Sequence, residues 1–96
     1  MKDLRLSDRA QSDMAEIWTY SFETFGAVQA ERYIRDIHSV FIALCTGSAR
    51  WHPADDLRQG YRRARVGSHF VFFVETGDAV EVVRVLHQRM DAGRWV

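Results

Sequence analysis

Apolar residues recur at helical spacing through the first half of the chain and alternate in the second, with the period changing near Gly60. After Ser7, the positions Ala10, Met14, Ile17, Trp18 and Phe25 fall on one helical face. Ser7 or Asp8 can cap the first turn, and Gly26 supplies a stop, so a helix is predicted over Ser7–Phe25. Asp8, Asp13 and Glu16 crowd its N-terminal half, where the helix dipole favours negative charge. A second stripe, Ala30, Tyr33, Ile34, Ile37, Phe41, Leu44 and Cys45, predicts a helix over Ala27–Thr46 that ends at Gly47. Two amphipathic helices joined at one glycine read as an antiparallel hairpin, whose apolar surface needs a sheet to lie on. Trp18, Phe22, Phe25, Tyr33 and Phe41 are expected in the core or between the helices.

Alternation marks the rest. Asp3–Leu6 is a short strand, Ser48–Gln59 with Pro53 is a loop, and strands are predicted at Gly60–Val66, His69–Thr76 and Ala79–His87. Thr76-Gly77-Asp78 turns the last two into a hairpin. In the final strand Val80, Val82, Arg84 and Leu86 should share one face, and Glu81, Val83, Val85 and His87 the other. Both faces carry apolar residues, so this strand should be central and covered on part of each side. The order β-α-α-β-β-β describes a single α+β domain spanning residues 1–96, a helical hairpin packed on a mainly antiparallel sheet.

Composition adds bounds. The chain has 96 residues, 47% hydrophobic and 27% charged, with one proline, as expected of a compact domain. Its net formal charge is zero, so the global balance points to neither nucleic acid nor membrane. The distribution is uneven: Leu57–Val74 holds Arg58, Arg62, Arg63 and Arg65 and no carboxylate. The lone Cys45 has no internal disulfide partner, and no signal-like or bilayer-length apolar run is present, so a cytoplasmic location is expected. His38, His52, His69 and His87 lack metal-motif spacing, and there is no Gly-rich phosphate loop or nucleophile elbow. No metal or cofactor is expected.

Four stretches, ALCTG (43–47), DDLRQGYRR (55–63), GSHFVFF (67–73) and above all VEVVRVLHQRMD (80–91), carry a resemblance over nearly the whole chain. The sequence resembles the ParE toxins of the ParE/RelE superfamily, the toxic halves of bacterial toxin–antitoxin pairs. The resemblance implies a small toxin held in a hetero-oligomeric complex by a cognate ParD-like antitoxin. ParE-type members poison DNA gyrase, whereas RelE-type relatives on the same fold cleave messenger RNA in the ribosome.

These two activities ask different things of the residues. RNA cleavage needs a proton shuttle and cations over the phosphate, roles open to His87, Arg63 and Arg84. The ribosome-dependent relatives, as the resemblance presents them, use a dense basic set and a C-terminal tyrosine or histidine. Here the only lysine is Lys2, the tyrosines are Tyr20, Tyr33 and Tyr61, and Trp95 alone of Phe, Tyr and Trp follows Phe73. The chain is therefore read as an inhibitor acting by binding, with no catalytic residue. The alternatives are a ribosome-dependent RNase and an inactive member that only binds its antitoxin. Candidate target- or partner-binding residues are Arg58, Arg62, Arg63, Arg65, Arg84, His87, Arg89 and Trp95. Sequence-specific DNA binding and membrane binding are not expected. Structural roles compete with these. Arg62 would face solvent, Arg63 and Arg65 would pair with helix carboxylates, and His87 would bond Asp91 or a backbone carbonyl. Arg84, interrupting an apolar face, must find a carboxylate or reach water. Trp51 and Trp95, outside regular elements, are candidate interface anchors.

Overall fold

A computed structural model describes residues 1–96. The elements are β1 (Asp3–Leu6), α1 (Asp8–Phe25), α2 (Ala27–Thr46), β2 (His52–Pro53), β3 (Arg62–Val66), β4 (His69–Glu75), β5 (Ala79–His87) and a single terminal turn, α3 (Ala92–Trp95). The five strands form one sheet in the order β1-β5-β4-β3-β2. β3, β4 and β5 make an antiparallel meander, while β1 pairs parallel to β5 with Leu4 opposite Val80 and Leu6 opposite Val82. The helical hairpin supplies the long crossover that a parallel pair requires.

Ser7 fixes the junction of β1 and α1. Its Oγ accepts the Ala10 amide hydrogen at 3.0 Å, which caps the helix, and donates to the Val83 carbonyl at 2.7 Å. Gly47, with φ 78° and ψ 12°, ends α2 in the left-handed conformation that a side chain resists. Gly67 is doubly constrained. Its φ is +55°, and a Cβ there would lie 2.6 Å from the Tyr33 ring. Only glycine lets the β3–β4 turn approach α2 this closely.

Ile17 of α1, Ile37, Phe41 and Leu44 of α2, and Val71, Phe73, Val80, Val82 and Val85 of the sheet form the main core. Val82 and Val85 cannot both face the helices in a regular strand. They do so because β5 carries a bulge: Phe73 lies opposite Val82 and Phe72 opposite Arg84, leaving Val83 without a partner. The predicted grouping of Val80, Val82, Arg84 and Leu86 on one face therefore fails after Val82. Leu86, opposite Phe70, belongs to the face away from the helices, and Phe72 shares that face; both are buried.

Two further expectations are corrected. The predicted loop Ser48–Gln59 contains β2, whose His52 and Pro53 lie opposite Arg63 and Arg62 at the sheet edge, where a proline's missing donor is tolerated. On α1 the buried positions are Ala10, Asp13, Ile17 and Ser21, whereas Trp18, Phe22 and Phe25 are exposed. A two-layer domain buries one stripe of each helix, and here two polar residues take places in that stripe while aromatics stay outside. Tyr33 and Phe41 do pack in the core, as expected. No helix is long and apolar enough to cross a membrane.

Candidate functional site

Beyond Leu6, β1 no longer covers β5, so the strand's second half has a free edge. Asp13 of α1 closes it. One carboxylate oxygen, Oδ2, accepts the Val85 amide hydrogen at 2.9 Å and the Arg84 Nε hydrogen at 2.8 Å, and Oδ1 accepts from Arg84 Nη2 at 2.8 Å. This is a two-pronged guanidinium–carboxylate pair with both side chains about nine-tenths buried, at 9% and 11% exposed. The bond to Asp13, opposed by burial, pushes the Arg84 guanidinium further above its usual range. The remaining nitrogen, Nη1, donates to the Trp95 carbonyl at 2.7 Å. Arg84 thus ties α1, β5 and the terminal turn together, satisfying the demand its sequence position created. Asp13, marked in the sequence only as one of the acidic residues favoured by the helix dipole, is buried against the sheet.

Beside this pair lies a cleft of about 970 Å³, lined among others by Arg9, Tyr20, Phe25, His69, His87 and Trp95. His69 and His87 stand opposite each other across β4 and β5, their rings edge-to-face with centroids 5.2 Å apart. Tyr33 supports the first: its hydroxyl bonds His69 Nδ1 at 2.5 Å and also accepts the Ser68 amide hydrogen at 3.1 Å. Burial, then the neighbouring His87, lowers the His69 pKa to about 4, so the ring is neutral at physiological pH. His87 Nδ1 accepts the Arg89 amide hydrogen at 3.1 Å. The expected partner Asp91 is engaged elsewhere, accepting from Gly93 to cap α3. No group of three or more His, Cys, Asp or Glu side chains converges in a metal-holding arrangement.

The β3 arginines occupy other surfaces. Arg62 is on the helix-facing side of β3, between Pro53 of β2 and Phe73 of β4, where it pairs with Glu75 and lies 4.1 Å over the Trp51 ring. It does not stand free in solvent. Arg63 and Arg65 point away from the helices, so neither reaches a helix carboxylate as expected. Arg63 pairs with Asp56 at 3.2 Å, and Arg65 donates to the Gln88 side chain at 2.7 Å and the Gly67 carbonyl at 3.2 Å. Arg58 lies over Tyr61. Trp51 and Trp95 are partly exposed, at 41% and 44%.

The candidate set therefore divides. Arg84, His87 and Trp95 share the cleft, while Arg58, Arg63 and Arg65 do not border it. Reading by residue type missed Asp13, Tyr33 and His69. A signal for Asp13 was present: Ala10, Asp13, Ile17 and Ser21 continue one helical stripe, and an aspartate inside it answers an arginine inside a strand. Nothing local marks the Tyr33–His69 contact, which depends on the β3–β4 turn meeting α2.

The family model described as "ParE toxin of type II toxin-antitoxin system, parDE" matches residues 4–92. Toxin ParE1 of Caulobacter vibrioides is 44% identical over 92 residues, covering 96% of this chain and 95% of that protein. Among solved structures, one described as the chromosomal ParDE TA system from P. aeruginosa superposes with a TM-score of 0.75 at 18% identity, covering 91% of this chain and 96% of that one. The E. coli DinJ–YafQ complex contains a chain of the same fold, with a TM-score of 0.63 at 13% identity over 92% of this chain and 94% of that one.

Proposed function

This chain belongs to the ParE toxin family of type II toxin–antitoxin systems, and from that premise we propose that it inhibits DNA gyrase by binding and is silenced by a cognate ParD-like antitoxin. The supporting observation is the separation of the residues that RNA cleavage would need. His87 lies in the cleft with Nδ1 occupied by the Arg89 amide. Arg84 is held by Asp13 and the Trp95 carbonyl through all three of its nitrogens. Arg63 sits on the opposite side of the sheet, paired with Asp56. A phosphate cannot meet all three at once, so contact surfaces explain these residues better than a shared reaction centre. Solved relatives of this fold include toxin–antitoxin complexes, which supports the antitoxin partner. Exposed Trp18, Phe22 and Phe25 on α1 offer apolar area to an amphipathic antitoxin helix.

The test is supercoiling inhibition measured against toxin concentration, beside a ribosome-dependent messenger-RNA cleavage assay. His87→Gln removes one side chain from a binding surface, a loss of about 1–3 kcal/mol at most. Inhibition should weaken and return at higher protein concentration. Deleting the chain from Ala92 should cost more, because Arg94 and Trp95 go with it, while antitoxin binding persists. RNA cleavage that disappears in His87→Gln would overturn the gyrase reading in favour of a nuclease.

A further inference from the structure

The sheet face turned away from the helices carries arginines set beside aromatic rings. The Arg63 guanidinium is 5.9 Å from the Phe70 centroid and 5.8 Å from that of Phe72, and Arg65 is 5.9 Å from Phe70. Arg58 lies at the same distance from Tyr61. A guanidinium can present a fork that matches two phosphate oxygens, which for Arg65 means exchanging the bonds that its Nε and Nη2 make to Gly67 and Gln88. The charges here are weakly compensated. Arg65 bonds only an amide and a carbonyl, and Arg63 has one carboxylate, Asp56, which is 68% exposed. Exposed pairs of that kind contribute about 0–1 kcal/mol and yield readily to a stronger anion. Glu75 and Glu81, with Asp78 of the turn between their strands, gather at the other end, around the β4–β5 turn. Arg89 follows Gln88, which Arg65 touches, at the end where Arg65 lies.

This face also lacks what a protein partner normally grips. Phe72 and Leu86 are sealed, at 1% and 2% exposure, and the large cleft lies elsewhere. Protein interfaces concentrate their energy in buried anchors set into pockets. A row of arginines set apart from the large cleft suits a regular array of anions read by charge and shape. We propose that this face is a sequence-independent phosphate-binding surface for duplex DNA, with Arg58, Arg63 and Arg65 as its contacts. Binding to DNA stands apart from the gyrase reading. Its use, holding the toxin on the DNA of the gyrase complex, rests on that reading.

The experiment is fluorescence anisotropy of a labelled random-sequence duplex titrated with the full chain across a salt series. Three phosphate contacts predict a slope of log binding constant against log salt of about −2.7. Arg65→Gln and Arg63→Gln should each reduce its magnitude by about 1, whatever the duplex sequence, whereas Arg65→Lys should keep it. Both side chains are at the surface, and circular dichroism of each variant confirms the fold. No duplex binding at low salt, a slope unmoved by both glutamine variants, or equally tight binding of a polyglutamate peptide would each overturn the assignment. The duplex assay contains no gyrase, so its failure removes the DNA surface alone. A chain that binds duplex yet leaves supercoiling untouched would overturn the target reading and leave the surface standing.

Discussion

Replacing Asp13 by alanine should be among the most damaging single changes on α1. The carboxylate accepts three hydrogen bonds, two from Arg84 and one from the Val85 amide, in a site where both side chains are about nine-tenths buried. Its loss leaves the Val85 donor unsatisfied, at about 1–3 kcal/mol. It also leaves the Arg84 charge without its counter-ion, and breaking a buried pair from one side costs roughly 3–5 kcal/mol. Arg84 retains the Trp95 carbonyl and some contact with water at the cleft, which places the expected loss near the lower end, about 3 kcal/mol. Urea unfolding of wild type and Asp13→Ala at neutral pH reads this as a shift in midpoint at unchanged slope. The decisive step is a double-mutant cycle. With Arg84→Met already present there is no stranded charge, so Asp13→Ala should cost at least about 1.5 kcal/mol less than in the wild type. Additive costs, or a single-mutant loss below about 1 kcal/mol, would show that the pair does not hold the strand edge.

Two other outcomes follow from the same packing. Phe41→Ala removes a ring that is 1% exposed amid Ile37, Leu44 and Val71, and should lower unfolding stability by about 3–5 kcal/mol in urea titrations. His69 titrates at about 4 in the folded chain and near 6.5 once unfolded, so the unfolded state takes up the proton first as pH falls. Stability attributable to it is complete above about pH 6.5, declines as pH drops towards 4 and levels off below that. Wild type should accordingly lose more stability than His69→Gln between those limits, and equal losses would refute the shift.

Much of the fold was written in local pattern. The change of period at Gly60, the glycine stops at 26 and 47 and the Thr76-Gly77-Asp78 turn placed both long helices and β3 to β5 to within two residues. What escaped depends on contacts between distant segments. A bulge adds one residue without changing composition, so Val83 looks like any other valine of an alternating strand, yet it reverses every face assignment after it. The exposure of Trp18, Phe22 and Phe25 was hidden for a related reason: helical spacing says that residues share a face, not which face the sheet covers. The superfamily could be read from VEVVRVLHQRMD because that stretch is both structural spine and signature.

That bulge also explains why eight candidate residues from one sequence region do not make one site. Before Val83 the even-numbered residues of β5 face the helices; after it the odd-numbered ones do, bringing Val85 into the core and His87 beside His69 in the cleft. Arg84, at the changeover, lies where β1 has ended and α1 is within reach, and there it meets Asp13. Arg63 and Arg65 follow the uninterrupted alternation of β3 and stay on the far side with Phe70. The sheet is a wall between the two groups, and β5 contributes to both of its sides. Loss of inhibition in a variant changed at both groups would therefore say nothing about which surface the target uses. Cleft and arginine face have to be altered separately, with Asp13–Arg84 left intact so that the wall itself does not move.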